Sequence, residues 1–313
     1  MTLNPVFEQK GEVSIIIPVY NEAEVIGSTV SELAERFPFF EILVVDDGSQ
    51  DGSGKIAAEA GARVVSHPRN RGNGAAIKTG IRSAKGRILV MMDGDGQHDP
   101  NEIPKILEHI ENYEMVVGAR DFKNQGQFHR SWANRFYSRF ATYLADHKVE
   151  DLTSGFRAVH RKLALRFAYL LPNTFSYPST ITLAFFKAGY GVKYVPIYAR
   201  KRVGKSKLRI FKDGLRFFAI LIKIVSLFNP MKVFFPLGMF FFAPGLAYTI
   251  YRLSLGHRLT NPMVLSLSAA VLIFALGLIS EQIALLRLER IDEPPPSESE
   301  EELNEPAGDQ KQQ

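Results

Sequence analysis

The stretch Arg-Ile-Leu-Val-Met-Met-Asp-Gly-Asp-Gly-Gln-His-Asp-Pro occupies residues 87–100 and decides the fold class of the first half of the chain. An apolar run of strand length ends abruptly in two acidic residues, Asp93 and Asp95, with glycines between and after them. In open α/β sheets the carboxyl ends of the strands face the ligand crevice. Two carboxylates delivered there suit a hard divalent cation, which takes oxygen ligands and often bridges to substrate phosphates. The pattern therefore predicts a crevice in which Asp93, Asp95 and Gln97 converge.

The segments around this stretch alternate between short β-branched runs and amphipathic runs. The expected strands are Val13–Val19, Glu41–Asp46, Ala62–Ser66, Arg87–Met92, Met115–Gly118 and Val192–Pro196. The expected helices are Glu22–Arg36, Gly52–Ala60, Asn73–Ala84, Asn101–Asn112, His129–Asp146 and Tyr177–Ala188. Alternation of this kind predicts an α/β fold with a mostly parallel sheet and helices on both faces.

Two further strands end in polar motifs. The first ends Ile-Pro-Val-Tyr-Asn-Glu (17–22), where Asn21 can cap the next helix, and the second ends Val-Val-Asp-Asp-Gly-Ser-Gln-Asp-Gly (44–52). A carboxylate at such a strand end can accept a hydrogen bond from a base imide or a ribose hydroxyl. Turn chemistry explains each motif taken alone, and Asp99 before Pro100 is expected only to cap a helix. Three strands that deliver acids to one edge favour a binding site.

Composition narrows the class of protein. The chain has 313 residues and no cysteine, which excludes disulfides, thiolate zinc sites and cysteine nucleophiles. The net charge is +5, but residues 289–313 hold nine acidic and two basic residues, so residues 1–288 carry +12. A region with this positive charge favours anionic partners. Because its bases concentrate beside apolar segments, lipid headgroups are favoured over nucleic acid as that partner.

The last third of the chain has a different pattern. Seven bases fall within 200–212, and the apolar stretch 215–228 carries two more, which predicts an amphipathic helix in a membrane interface. Two apolar stretches follow, at about 233–252 and 263–286, each near the ~20 residues that span a bilayer. The short link between them predicts a helical hairpin, and the flanking bases predict that the N-terminal domain and both termini are cytoplasmic.

These patterns predict four regions. They are a catalytic domain at 1–199, a basic loop with a juxtamembrane amphipathic helix at 200–230, a transmembrane hairpin at 231–288, and a disordered acidic tail at 289–313.

Four motifs occur in order along the chain. They are Pro18-Val-Tyr-Asn-Glu22, Asp46-Asp-Gly-Ser-Gln-Asp-Gly52, Asp93-Gly-Asp-Gly-Gln-His-Asp-Pro100 and Ser154-Gly-Phe-Arg157. Together they resemble family 2 glycosyltransferases with the GT-A fold, in particular the subgroup of dolichyl-phosphate mannose synthase and the bacterial polyprenyl-phosphate glycosyltransferases. The similarity runs from about Val13 to Asn229, and a membrane hairpin is a common appendage of this subgroup.

The resemblance implies roles for individual residues. The implied nucleotide-sugar pocket is lined by Pro18, Tyr20, Glu22, Asp46, Asp47 and Asp93. The implied ligands of Mg²⁺ or Mn²⁺ are Asp93, Asp95 and Gln97. The implied catalytic residues are Asp95, Arg120 and Asp151. The implied contacts to the acceptor phosphate come from Arg120, Arg130, Asn134, Ser154, Lys201, Arg202, Lys205 and Lys207, and which base of 200–202 reaches the phosphate stays open.

The activity implied by the resemblance is an inverting, metal-dependent transfer of a hexose from a GDP- or UDP-sugar to undecaprenyl or dolichyl phosphate. Asp151 is expected to orient the acceptor or the metal shell rather than to remove a proton. The implied setting is the plasma or inner membrane, and a homo-oligomer stays open. Two alternatives are a glycosyltransferase acting on a lipid or glycan hydroxyl and a non-catalytic membrane protein that binds nucleotide sugars.

Overall fold

The computed structural model describes residues 7, 11–120, 139, 142–143, 147–173, 177–198, 229–258 and 260–292, the last six of these without their side chains. The chain divides into two compact units, Met1–Lys232 and Val233–Gln313. The predicted basic loop, the amphipathic helix and the helix at His129–Asp146 lie mostly or wholly outside the described residues, and the four regional boundaries stay predictions.

A seven-stranded sheet organises the first unit. Its strands are β1 (Val13–Val19), β2 (Glu41–Asp46), β3 (Arg63–Ser66), β4 (Ile88–Met91), β5 (Met115–Arg120), β6 (Arg157–His160) and β7 (Val192–Ile197). Their order across the sheet is β3-β2-β1-β4-β6-β5-β7. Every pairing is parallel except the two made by β6, which runs antiparallel to β4 and to β5. The predicted α/β class with a mostly parallel sheet is confirmed.

Helices cover both faces of this sheet. They are α1 (Ala23–Arg36), α2 (Ser53–Glu59), α3 (Asn73–Ser83), α4 (Ile103–Leu107), α5 (Arg161–Phe167) and α6 (Tyr177–Lys187), with 3₁₀ turns at Pro100–Glu102 and Ala168–Leu170.

The two faces follow from the alternation of side chains along each strand. Ile15 and Ile17 of β1 join one core cluster with residues of α1, α2 and α4. Between them, Ile16 points to the opposite face, where it meets Gly80 of α3. Helix α3 packs in turn against α5. The ring centroids of Phe167 in α5 and Phe185 in α6 are 4.6 Å apart. Because both faces are covered, all of β1 is buried, as expected of a central parallel strand.

Three local features differ from the sequence prediction. Strand β6, whose four residues include Arg157 and His160, and helix α5, which follows it, were not predicted. Strand β5 continues to Arg120 because its pairing with β7 extends that far. The helix expected over 101–112 begins as a 3₁₀ turn, since Pro104 has no N–H to donate to the carbonyl of Pro100.

Two long helices follow the first unit, α7 (Met231–Ser254) and α8 (Asn261–Asp292). Among the described residues, Met231–Ser254 and Asn261–Leu286 are long and apolar enough to cross a membrane, judged by length and composition. The Ser266 hydroxyl donates a hydrogen bond of 2.8 Å to the carbonyl of Phe241. A Cβ on Gly245 would lie 2.6 Å from the same hydroxyl, so a small residue lets the two helices approach. The predicted hairpin is confirmed.

The close approach of α3 to β1 gives a stability test. In Gly80→Ala the new Cβ would lie 2.3 Å from Cγ2 of Ile16, within a fully buried region. Overpacking of this kind costs about 1–3 kcal/mol, and it opposes the helix propensity gain of about 1 kcal/mol from glycine to alanine. We expect a lower thermal unfolding midpoint in detergent for Gly80→Ala, and no loss for Ser83→Ala in the same helix. An unchanged midpoint for Gly80→Ala would contradict the packing described here.

Candidate active site

The carboxyl ends of β1, β2 and β4 meet at one edge of the sheet. Asp46 of β2 is in register with Val19 of β1, and Met91 of β4 is in register with Ile16. Since β1 lies between β2 and β4, Asp46 and Asp93 are separated by two strand spacings, about 10 Å. The three acidic strand ends therefore share one edge, as the sequence predicted.

The loops after β1 and β2 are locked together by side chains. The Asn21 amide oxygen accepts from the N–H of Gln50, and the N–H of Asn21 donates to the Ser49 hydroxyl. The N–H groups that open α1 donate to the other loop, Glu22 to the Ser53 hydroxyl at 2.9 Å and Ala23 to an Asp51 oxygen at 3.0 Å. Asn21 thus does not cap α1 as expected, and it takes a left-handed backbone with a φ of 56°.

The six residues predicted to line the nucleotide-sugar pocket fall at this edge, and they differ in accessibility. The ring of Tyr20 is 45% exposed. A Cβ on Gly94 would lie 2.9 Å from the carbonyl of Pro18, so the β1 and β4 loops touch. Glu22 occupies the N-cap position of α1.

The two neighbouring acids after β2 have different surroundings. Asp46 is buried, and its carboxylate accepts from the N–H of Ser49 at 2.9 Å. The Asp47 carboxylate already has three protein donors, His67 Nδ1 at 2.6 Å and the N–H groups of Arg71 and Gly72 at 2.9 and 2.7 Å. Asp47 therefore fixes the loop that leads into α3, and its predicted contact with the nucleotide stays a prediction.

The carboxylate of Asp93 rests in a cradle formed by the start of β6. A Cβ on Gly155 would lie 2.6 and 2.8 Å from the two Asp93 oxygens, so only glycine leaves room for them. His98 approaches from the other side, with Nε2 at 3.3 Å from Asp93 Oδ2. The His98 ring is 4% exposed and stacks on Phe156 at 5.1 Å. These contacts explain what two residues of the Ser154-Gly-Phe-Arg157 motif do.

The tautomer of His98 follows from its surroundings. Its Nδ1 is buried without a hydrogen-bond partner in the part of the chain that the structure describes. An orphaned buried N–H is rarer than an orphaned acceptor, which assigns the proton to Nε2. His98 thus donates to Asp93, and it holds this carboxylate rather than competing with it for a cation.

The last residue of the motif places a positive charge beneath the site. Arg157 is fully buried, and its guanidinium donates to the Pro178 carbonyl and the Thr182 hydroxyl, both at 3.0 Å, and to the Ser154 carbonyl. No carboxylate among the described residues forms an ion pair with it. Burial disfavours this charge and lowers the pKa of Arg157.

Nearby cations keep Asp93 ionised. Burial alone would raise its pKa, but the hydrogen bond from His98 and the charges of Arg120 and Arg157 outweigh burial and leave the pKa of Asp93 below its usual value. A carboxylate that stays charged at neutral pH is the form that a cation or a cationic substrate group requires.

Buried Asp151 and partly buried Arg120 form an ion pair beside Asp93. The guanidinium of Arg120 donates to both Asp151 oxygens, at 2.9 and 3.2 Å, and to the Thr153 hydroxyl at 2.7 Å. Asp151 also accepts from the N–H groups of Thr153 and Ser154 at 3.0 and 3.1 Å. Burial opposes both charges, yet the pair lowers the pKa of Asp151 and raises that of Arg120. Asp151 is therefore a poor proton acceptor and acts on Arg120.

The oxygen donors at this edge fit a hard divalent cation. Asp93 and Asp95 offer carboxylates and Gln97 an amide oxygen, the ligand types that Mg²⁺ and Mn²⁺ take. Among the described residues no group of three or more His, Cys, Asp or Glu side chains could hold a metal. A site of two carboxylates and an amide fits a cation that also takes oxygens from a substrate diphosphate.

Of the residues predicted to contact the acceptor phosphate, the structure describes Arg120 and Ser154. Ser154 is fully buried, and its hydroxyl accepts from the N–H of Phe156 at 3.3 Å. Outside the described residues lie Arg130, Asn134, Lys201, Arg202, Lys205 and Lys207.

The fold and the site define a class of protein, the glycosyltransferases of GT-A type. The model of the family described as "Glycosyl transferase family 2" matches residues 14–167, and that of the "GtrB C-terminal hairpin" matches residues 229–286. An uncharacterized protein of Methanocaldococcus jannaschii is 34% identical over 60% of this chain and 81% of its own length. The chain belongs to glycosyl transferase family 2, and it is an enzyme of the glycosyltransferase class.

Other relatives carry more specific names. The undecaprenyl-phosphate mannosyltransferase of Micrococcus luteus is 29% identical, over 62% of this chain and 86% of its own. The dodecaprenyl-phosphate galacturonate synthase of Rhizobium johnstonii is 28% identical, over 88% of each chain. A solved structure of glucosyl-3-phosphoglycerate synthase from Mycobacterium tuberculosis with Mn²⁺ and UDP-glucose has a TM-score of 0.55 at 21% identity, over 68% of this chain and 78% of that one. This last likeness establishes the fold.

The Gly155 cradle generates a prediction. In Gly155→Ala the added methyl group displaces the Asp93 carboxylate, whose outer side is open enough for it to swing away. We expect Mn²⁺ affinity, measured by electron paramagnetic resonance in the presence of UDP or GDP, to fall about tenfold or more. The thermal unfolding midpoint should change little. Wild-type Mn²⁺ affinity in this variant would show that the position of Asp93 is irrelevant to the cation.

The hydrogen bond from His98 gives a second test. His98→Phe keeps a ring against Phe156 but loses the donor to Asp93, whereas His98→Gln can keep an N–H near the position of Nε2. We expect Mn²⁺ affinity to fall about 10- to 100-fold in His98→Phe, as for other partners that orient metal ligands, and substantially less in His98→Gln. His109→Gln is the control. Equal losses in both His98 variants would contradict the assigned role.

Proposed function

We propose that this enzyme transfers a hexose from a nucleotide sugar to the phosphate of a polyprenyl phosphate, with inversion at the anomeric carbon. The observation that carries the proposal is the juxtaposition of Asp93 and Asp95 with the Arg120–Asp151 pair at one sheet edge. The carboxylates that would bind a cation and the donor diphosphate thus lie next to the fixed guanidinium of Arg120. The names of the Micrococcus and Rhizobium relatives support a polyprenyl phosphate as the acceptor.

On the donor side, the nucleotide would lie along the ends of β1 and β2. The exposed ring of Tyr20 offers a stacking surface, and Asp46 lies at the end of β2, in register with Val19. Asp93, Asp95 and Gln97 would hold Mg²⁺ or Mn²⁺ at the diphosphate. When bound, the cation neutralises the charge of the departing nucleoside diphosphate. The Mn²⁺ and UDP-glucose named for the mycobacterial structure support this arrangement.

On the acceptor side, the nucleophile would be an oxygen of a phosphate monoester. The second pKa of such a group is near ~6, so it is largely dianionic at neutral pH and needs no strong general base. The enzyme must hold the acceptor phosphate close to the donor diphosphate, and guanidinium and ammonium groups can do this because they neutralise both anions. Arg120 is the described candidate, and Arg130 and the bases of 200–207 are the candidates outside the described residues.

Asp151 would serve this step through Arg120. Its oxygens accept five hydrogen bonds of 3.2 Å or less, from Arg120, Thr153 and Ser154. A carboxylate so committed fixes the direction of the guanidinium. The pair thereby presents a pre-oriented positive charge to an incoming phosphate.

The setting would be the cytoplasmic side of a membrane. The isoprenoid tail of the acceptor cannot leave the bilayer cheaply, because each CH₂ exposed to water costs about 0.8 kcal/mol. An active site that uses this lipid must work at the membrane surface, which suits a chain with two membrane-crossing helices. Cytoplasmic termini follow from the distribution of flanking bases.

The experiment is a transfer assay with the full chain in membranes. GDP- and UDP-sugars are offered with undecaprenyl or dolichyl phosphate, with Mn²⁺, with Mg²⁺ or with EDTA. We expect a metal-dependent product that is a lipid monophosphate sugar, labile to mild acid. Transfer only to a lipid or glycan hydroxyl, or nucleotide-sugar binding without transfer, would reject the proposal.

The same assay tests the donor-side carboxylates. Asp95→Ala should lower metal-dependent turnover at least 100-fold, since it removes a carboxylate proposed to hold the cation that neutralises the leaving nucleoside diphosphate. Glu59→Ala, an acid on the exposed side of α2, is the matched control and should keep wild-type turnover. Near wild-type turnover of Asp95→Ala, with an unchanged unfolding midpoint, would exclude the metal role.

A further inference from the structure

The acidic and basic residues of the first unit are segregated between the two faces of the sheet. Residues 61–92 contain seven bases and no acid, and residues 152–198 contain six bases and no acid. These two stretches supply α3, α5 and α6, which lie on the same face. Two of their bases lie elsewhere, because Arg157 is buried beneath the site and Lys193 lies over the Tyr113 ring on the opposite face. On the other face, α1 carries three glutamates and one arginine, and residues 99–114 carry five acids and one lysine. The unit is thus electrically polarised across its sheet.

The bases on this face have few acidic partners. Arg63 and Arg87 pair with Glu41 and Glu12 at the rim. No ion pair in the described part of the chain involves the remaining bases of α3, α5 and the loop before α3, namely Arg69, Arg71, Lys78, Arg82, Arg161, Lys162 and Arg166. Burial, together with the nearby charges of Arg82 and Arg71, lowers the pKa of Lys78, so each of these two arginines lies near Lys78.

Helix α5 adds apolar groups to this charge. Lys162, Leu165, Arg166 and Tyr169 follow the spacing i, i+3, i+4, i+7 and share one side of α5 and its 3₁₀ extension. Leu165 is 36% exposed and Tyr169 is 47% exposed. Bases interleaved with an exposed leucine and tyrosine are typical of surfaces that lie in a membrane interface, where the aromatic ring sits at the headgroups.

We propose that the face formed by α3, α5 and the loop 69–72, here called the basic face, docks on the anionic headgroups of a lipid bilayer. The proposal goes beyond the transfer reaction and does not require it. The occupant follows from charge complementarity and from the two apolar helices that hold the chain at a bilayer. Within the same chain, the segment 200–212 has the wrong charge to cover this face. The acidic tail 289–313 has the right charge, but the exposed Leu165 and Tyr169 match a bilayer interface and not a segment rich in serine and glutamate.

Docking of this face would orient the whole unit. A base near an anionic membrane surface contributes about 1 kcal/mol, an effect that falls off within a Debye length. The acidic helices α1 and α4 would face away from the same surface. The polarised unit would therefore have one preferred orientation on the bilayer, so that the sheet edge with the active site keeps a constant height above the lipid.

The test uses the absence of cysteine in the chain. Full-length protein with Leu165→Cys, labelled with an environment-sensitive fluorophore, is reconstituted in nanodiscs of phosphatidylcholine alone or with phosphatidylglycerol. We expect a blue shift of the emission only in the anionic discs, abolished at 1 M salt, where the Debye length is about 3 Å. The same label at Glu35→Cys, on the acidic face, should report water in both discs.

Charge reversal supplies the matched comparison. Lys162→Glu, Arg166→Glu and Arg82→Glu should each lower the ratio of docked to undocked protein about fivefold. Arg36→Glu, Lys55→Glu and Lys105→Glu make the same change on the other face and should have no such effect. If a reversal variant fails to fold, the lipid and salt dependence of the Leu165 label alone decides. A label that stays aqueous in anionic discs, or that responds to an RNA oligonucleotide in neutral discs instead, would overturn the proposal.

Discussion

The antiparallel insertion of β6 between β4 and β5 is the constraint on which the active site depends. It brings the motif at 154–157 under the end of β4, where Gly155 leaves room for Asp93 and Phe156 supports His98. It also brings Asp151 to the end of β5, where its carboxylate accepts a hydrogen bond from Arg120, the last residue of that strand. Arg157 completes the arrangement as a buried positive charge whose guanidinium donates to two backbone carbonyls and a hydroxyl. The acidic edge and the motif are therefore one structural unit.

The sequence predicts the parallel part of the fold well, because most of its strands are apolar runs followed by helical periodicity. The bounds of β1 and β2 agree with the prediction, and those of α3 differ by one residue. Strand β6 gives no such signal. Its four residues derive their strand conformation from the two neighbours with which they pair, so a local pattern cannot reveal it. The 3₁₀ start of the helix predicted over 101–112 has a local cause, the missing N–H of Pro104.

The sequence identifies candidate residues of the site, but it does not reveal which other side chains contact them. Asp93, Asp95 and Arg120 could be named because they follow strands and match a family motif. The partners that control them are distant in sequence. Asp151 contacts Arg120 across 31 positions, and His67 contacts Asp47 across 20. Only the fold joins such pairs, so the hydrogen bonds that the Asp47 carboxylate accepts from His67 and from the loop before α3 could not be predicted from the sequence.

The mutual locking of the loops after β1 and β2 has a consequence for how donor preference can change during evolution. Each loop supplies the hydrogen-bond acceptors for the other, so Asn21, Ser49, Asp51 and Ser53 form a closed set. A replacement within one loop leaves unsatisfied amides in its neighbour. The two segments should therefore be replaced together during evolution. A chimera that takes only one of them from a homologue is expected to have a frayed first turn of α1 rather than a changed sugar specificity.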